Sequence, residues 1–180
     1  MSLSLPEYRL WIKTHQPLLH YTGIRYGIIP PAVSYKDFIS DFNKRDKFEC
    51  REAFLKHPEI LDEYLEKKGN KLQPDQVAIL NNFRKKRTCT YIIYKFMPKG
   101  AIFFDLHTWY YVWSLGDTFD QFIEQTPCVV NATLVPFRDK IIYDGFLQPS
   151  SVSIGSNIRE SLRQQYAEAR ENGHIIKRLD

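Results

Sequence analysis

The chain has 180 residues, 43% hydrophobic and 26% charged, with a net charge of +4, a balance that supports one substantial core and excludes a disordered tract. Met1 to Glu7 contain no basic segment leading into an apolar run, and no later stretch approaches the roughly 20 apolar residues of a membrane span, so neither secretion nor a membrane partner is expected. Cys50, Cys89 and Cys128 are odd in number and widely spaced, which suits free thiols in a reducing compartment and predicts a cytoplasmic location.

Residues 1–87 carry 16 Lys and Arg against 11 Asp and Glu, whereas residues 88–180 carry 9 against 10, so the basic character belongs to the first half. The 12 Phe, 11 Tyr and 3 Trp predict a core of large plates, some of which are candidates for a binding surface.

The first half reads as helices. Ser4 caps a helix with Leu10, Trp11, Leu18 and Leu19 near one face, and Pro17 is expected to kink or split it. After a break over Gly23 to Pro31, Ser34 and Asp37 have capping-box spacing, and Asp46 and Glu49 repeat it ahead of Phe48, Phe54 and Leu55. Pro58 suits a first turn before Ile60, Leu61, Tyr64 and Leu65, and Gly69-Asn70 ends that helix. Pro74 opens the next, with Val77, Leu80 and Phe83 at helical spacing.

Beyond Thr88 the period switches. Cys89 to Met97, Ala101 to Asp105 and Trp109 to Leu115 are β-rich runs with short connections, predicting a meander. Asp117 to Gln125 carries Phe119, Phe122 and Ile123 at near-helical spacing and predicts a crossover helix. Val129 to Val135 and Lys140 to Leu147 flank Arg138-Asp139, which predicts a tight antiparallel hairpin. Asn157 and Glu160 have capping-box spacing before Ile158, Leu162, Tyr166 and Ala169, the stripe of a closing helix that ends at Asn172-Gly173.

The run Leu134-Val135-Pro136-Phe137, followed by Ile141-Ile142-Tyr143-Asp144-Gly145 and by a Ser/Gly stretch and Asn157-Ile158-Arg159-Glu160-Ser161-Leu162, resembles the C-terminal part of a family of uncharacterised bacterial cytosolic proteins. The resemblance covers Tyr91 to Ala169. It implies a hairpin and a closing arginine-containing helix, and it lends no activity.

The chain is therefore expected to be α+β and a single domain over 1–180: a mainly helical part over 1–87 packed on an antiparallel sheet of about five strands, with a C-terminal helix.

Candidate chemistry is sparse. Arg84-Lys85-Lys86-Arg87 suits phosphate contacts, and equally suits the negative end of a helix dipole. Arg159 and Arg163 lie one turn apart near a helix start, where an anion would also be welcome, and they equally suit pairing with Asp144 or exposure to solvent. Trp109, Tyr111 and Trp113 share one face of their strand, as a stacking platform for a base, sugar or peptide or as core.

Asp105 and His107 are the parts for activating a thiol, but no signature surrounds any cysteine, and buried structural thiols are the better reading. Asp144-Gly145 reads as a turn or bulge before it reads as a catalytic carboxylate. His15 and His20 fall on different helix faces, and no metal-ligand pair or glycine-rich phosphate loop can be written, so no metal or cofactor is expected. Three functions rank in order: a non-enzymatic module acting through contacts with a protein partner, a nucleic-acid-binding protein using residues 84–87, and a hydrolase with an unrecognised site.

Overall fold

The computed structural model of the chain describes residues 2–179. Within them are six α-helices and six β-strands, the α+β content expected, in two compact units. One unit runs over Arg9–Asn81 and the other is built from the residues on either side of it.

Helix α1 (Leu5–Arg25) starts at the anticipated Ser4 cap, which Glu7 completes as a capping box: Ser4 N–H donates to Glu7 Oε2 at 3.0 Å, and Glu7 N–H to Ser4 Oγ at 3.4 Å. It does not break at Pro17. Proline leaves the carbonyl four residues back without its helical donor. Here that carbonyl belongs to Lys13, and Gln76 Nε2 donates to it at 3.2 Å.

In the helical unit, α2 (Tyr35–Ser40) is capped by Ser34 as the spacing predicted. Helix α3 (Lys44–Lys56) is capped by Asn43, whose Oδ1 accepts from Arg45 and Asp46 at 2.8 and 3.0 Å, so Asp46 sits inside the first turn instead of opening it. Helices α4 (Ile60–Lys68) and α5 (Pro74–Asn82) follow. Glu63 accepts from Tyr21 at 2.7 Å, Arg25 at 3.2 Å and Lys67 at 2.6 Å, which ties α4 to α1. Leu18, Leu19, Phe38, Phe54, Ile60 and Leu80 are buried.

The second unit holds β1 (Arg87–Met97), β2 (Gly100–Phe104), β3 (Trp109–Trp113), β4 (Cys128–Phe137), β5 (Lys140–Pro149) and β6 (Ile175–Ile176). The first three form the expected meander. Phe137 faces Lys140 across Arg138-Asp139, the expected two-residue hairpin, with Arg138 at φ 55. The long-range pairings depart from an antiparallel sheet. β4 returns to β1, and β5 lies parallel to β3 with Val112 opposite Ile141, so five strands close on themselves in the order 1-2-3-5-4. β6 adds a second parallel pairing, Trp109 opposite Ile175.

Alternation sends Tyr91, Ile93, Phe103, Tyr110 and Val112 into the barrel and Ile92, Ile102, Phe104 and Trp109 outward. The crossover helix expected over 117–125 is a single 3₁₀ turn, Phe119–Gln121. Phe119 serves the barrel interior instead, its ring 5.5 Å from Phe103 and 5.2 Å from Tyr143, while Phe122 is left exposed. Asp144-Gly145 is a bulge, with Gly145 at φ +99 and the Asp144 carboxylate accepting from Phe146 N–H at 3.1 Å.

Helix α6 (Ser156–Glu171) lies on the outer face of β1, β2 and β3, where Leu162, Tyr166 and Ala169 pack with Ile92, Ile102, Phe104 and Trp109. Its cap is Gly155, so Asn157 falls inside the helix, and Ile158 is 53% exposed and outside the buried stripe.

Candidate functional site

The three aromatic residues of β3 do share the outer face, but they meet different surroundings along it. Trp109 is buried under α6, stacked on Phe104 at 4.2 Å and edge-on to Tyr166 at 5.4 Å, so it is core and not platform. Tyr111 and Trp113, toward the far end of the strand, are half-buried, with ring centroids 5.8 Å apart.

Across the β2–β3 ladder Trp113 faces Gly100, which offers no side chain to cover the indole. The close pairing requires that glycine, since a Cβ there would come within 2.0 Å of the Val112 carbonyl oxygen. The β1–β2 turn, Pro98-Lys99, brings the Lys99 ammonium to 5.5 Å from the Trp113 ring centroid. From the other side, Lys140 at the start of β5 brings its own to 5.1 Å. Both lie within the reach of a cation–π attraction. Arg138 is exposed in the β4–β5 turn, with its guanidinium 6.0 Å from the Phe137 ring centroid.

Lys140 is not idle. Its Nζ donates to Glu7 Oε1 at 2.7 Å and to Asp139 Oδ1 at 3.2 Å. Burial alone would push the Glu7 carboxyl up, but the hydrogen bonds from Lys140 and Ser4 outweigh it and hold it at about 2. The Asp139 carboxyl is lowered as well, by its hydrogen bond from Lys140 first, and the charge of Arg178 adds to the effect.

The basic run lies toward the opposite end of β3. Arg84 and Lys85 are exposed, and burial lowers the Lys86 ammonium. Arg87 donates to the Tyr110 hydroxyl at 3.1 Å, and that hydroxyl donates to Asp105 Oδ2 at 2.7 Å. Asp105 also accepts from the N–H groups of His107 and Thr108. Its carboxylate is thus committed to its own turn. Arg159 donates to the Ile154 carbonyl and Arg163 pairs with Glu160, so each has a local use on α6.

Only Cys50 is the buried thiol expected; Cys128 is half-buried and Cys89 is exposed, because the start of β1 over residues 87–90 is open to solvent. Desolvation pushes Cys50 up to about 12, and Cys89 and Cys128 are raised as well, the reverse of an activated nucleophile. Among the described residues no group of three or more His, Cys, Asp or Glu is arranged to hold a metal ion, and no helix is long and apolar enough to cross a membrane.

Two grooves lie elsewhere on the described surface. One, of about 460 Å³, runs between α6 and the β2–β3 connection, lined by His107, Thr108, Gln165, Glu168, Asn172 and His174 among others. The other, of about 310 Å³, lies in the helical unit among Tyr21, Tyr35, Tyr64 and His20. Neither joins an open aromatic face to several cations, as the Trp113 end of β3 does.

Sequence reasoning singled out Tyr111 and Trp113 but missed Lys99 and Lys140, which look unremarkable in turns. The signal that unites them is the strand pairing itself. Compared with family models, curated proteins and solved structures, the chain matches none.

Proposed function

We propose that the barrel unit binds single-stranded nucleic acid across Trp113 and Tyr111, with Lys99, Arg138 and Lys140 meeting the phosphates. The observation that carries this reading is the half-buried indole flanked by two ammonium groups at 5.5 and 5.1 Å. A stacking ring for a base beside cations for the backbone is what single-strand binders combine.

Connectivity supports the same end of the barrel. Five-stranded Greek-key barrels of the OB kind use the face of their second and third strands together with the loops joining strands 1–2 and 4–5. In this chain those loops carry Lys99 and Arg138. That support is an analogy between folds. The run Arg84 to Arg87 takes a lesser part in this reading, as a source of long-range attraction for the strand.

The test is fluorescence anisotropy with labelled single-stranded DNA and RNA oligonucleotides at low and moderate salt. Binding should weaken with salt, and Trp113→Ala should cost about 1–3 kcal/mol, the worth of one stacked base. Lys99→Ala with Arg138→Ala should flatten the salt slope by about two. Failure of the unmodified protein to bind either strand at low salt overturns the reading.

Contact with a protein partner is the second reading, favoured by two exposed apolar residues at and before the start of α6, Val152 and Ile158. Ile158→Asp would separate the two, since it leaves the Trp113 end untouched.

A further inference from the structure

The site just described already contains an anion. Glu7 Oε1 lies 2.7 Å from Lys140 Nζ, with both side chains mostly covered, at 14% and 15% exposure, and the same ammonium stands over the Trp113 ring. The N-terminal segment that delivers Glu7 is fastened to the end of β3. Leu3 N–H donates to the carbonyls of Ser114 and Leu115 at 3.0 and 3.1 Å, and Ser2 Oγ donates to the Gly116 carbonyl. Ser4 then fixes the carboxylate through the capping box. A carboxylate held so firmly on Lys140, one of the two cations that face the stacking ring, occupies the place a phosphodiester would take.

We infer that Glu7 is a built-in phosphate mimic, which a bound strand must displace from Lys140. This rests on the proposed function and refines it. The ligand must bring a chain of phosphates, because a nucleoside without one has nothing with which to replace the carboxylate. Discrimination between a polynucleotide and a free base or nucleoside is thereby set by a residue on α1, outside the barrel strands.

The displacement has an electrostatic signature. When a phosphate takes Lys140, the released carboxylate gathers a counterion, which offsets the counterion that the phosphate gave up. Replacing Glu7 by glutamine removes that offset. Glutamine also serves at the fourth position of a capping box, so α1 keeps its start.

The experiment compares the unmodified protein with Glu7→Gln, Ser4→Ala, Lys140→Gln and Lys140→Gln/Glu7→Gln, using the same labelled oligonucleotides across a salt series. Glu7→Gln should bind several-fold more tightly, with a salt slope steeper by about one. Ser4→Ala, which disturbs the cap without removing the charge, should not steepen it. In the Lys140→Gln background the gain from Glu7→Gln should vanish. A Glu7→Gln protein that binds no more tightly than its parent, while Trp113→Ala still weakens binding, overturns this inference and leaves the proposed function standing. Absence of binding by every form overturns both.

Discussion

Gln76 Nε2 donates to the carbonyl oxygen of Lys13, the acceptor that Pro17 strips of its helical partner. The other end of the same amide works locally, since Gln76 Oε1 accepts from Gln73 N–H at 3.1 Å at the start of α5. One side chain thus mends α1 and caps α5.

That division of labour predicts a coupling. Gln76→Ala should destabilise the protein by about 1–3 kcal/mol, two hydrogen bonds' worth. In a Pro17→Ala background the alanine N–H supplies Lys13, so the same change should cost less, with a coupling energy of about 1 kcal/mol. Urea denaturation of the four proteins closes the cycle, and strict additivity would mean that Gln76 acts only as a cap.

A second contrast lies on α6. Leu162 is 3% exposed inside the cluster with Ile92, Ile102 and Trp109, so Leu162→Ala should cost about 2–5 kcal/mol. Ile158, on the same helix but largely in solvent, should lose under about 0.5 kcal/mol on truncation to alanine. Equal losses would place Ile158 in contact with something and revise the boundary of the buried stripe.

His15 makes stability depend on pH. Its ring is buried and stacked on Trp11 at 4.8 Å, and burial first, then the charge of Arg51, lower it to about 3. The folded imidazole stays neutral down to that pH, while the unfolded one takes up a proton near its ordinary value of about 6.5. Between the two the unfolded state binds more protons, so stability falls as pH is lowered through this window, by about 1.4 kcal/mol per pH unit. Between pH 7 and pH 5 the parent should therefore lose about 2 kcal/mol more than His15→Gln. Denaturation curves at the two pH values measure this, and parallel losses would assign the acid sensitivity to other groups.

Much of the fold is legible in the sequence where the cause is local. The Phe137/Lys140 hairpin follows from two β-rich runs and a two-residue connection, and the starts of α1 and α2 from Ser4 and Ser34. What is missed has a partner far along the chain. Nothing near Pro17 announces that Gln76 will complete the helix through it. The spacing of Phe119, Phe122 and Ile123 is helical, yet the barrel interior draws Phe119 inward and leaves a single turn. Gly155 caps α6 without a side chain to signal it, and so Asn157 looks like the start.

The candidate site divides the same way. Alternation along β3 correctly puts Trp109, Tyr111 and Trp113 on one face. Which of them α6 covers, and that Lys99 and Lys140 converge on the third, depends on pairings that no window of neighbouring residues contains.

The manner of closure bears on how the barrel is assembled during synthesis. β2 is complete when β3 emerges, but Val112 and Trp113 must wait for Ile141 and Ile142, and Trp109 and Tyr110 for Ile175 and Ile176. Until then one edge of β3 is an unpaired row of peptide groups, a template for any other extended strand nearby. Such distant partners also make for slow folding, since the chain must be ordered over a long loop before the contact rewards it. The short β6 therefore protects that edge, and shortening the chain before His174 would leave the backbone of Trp109 and Tyr110 open to intermolecular pairing.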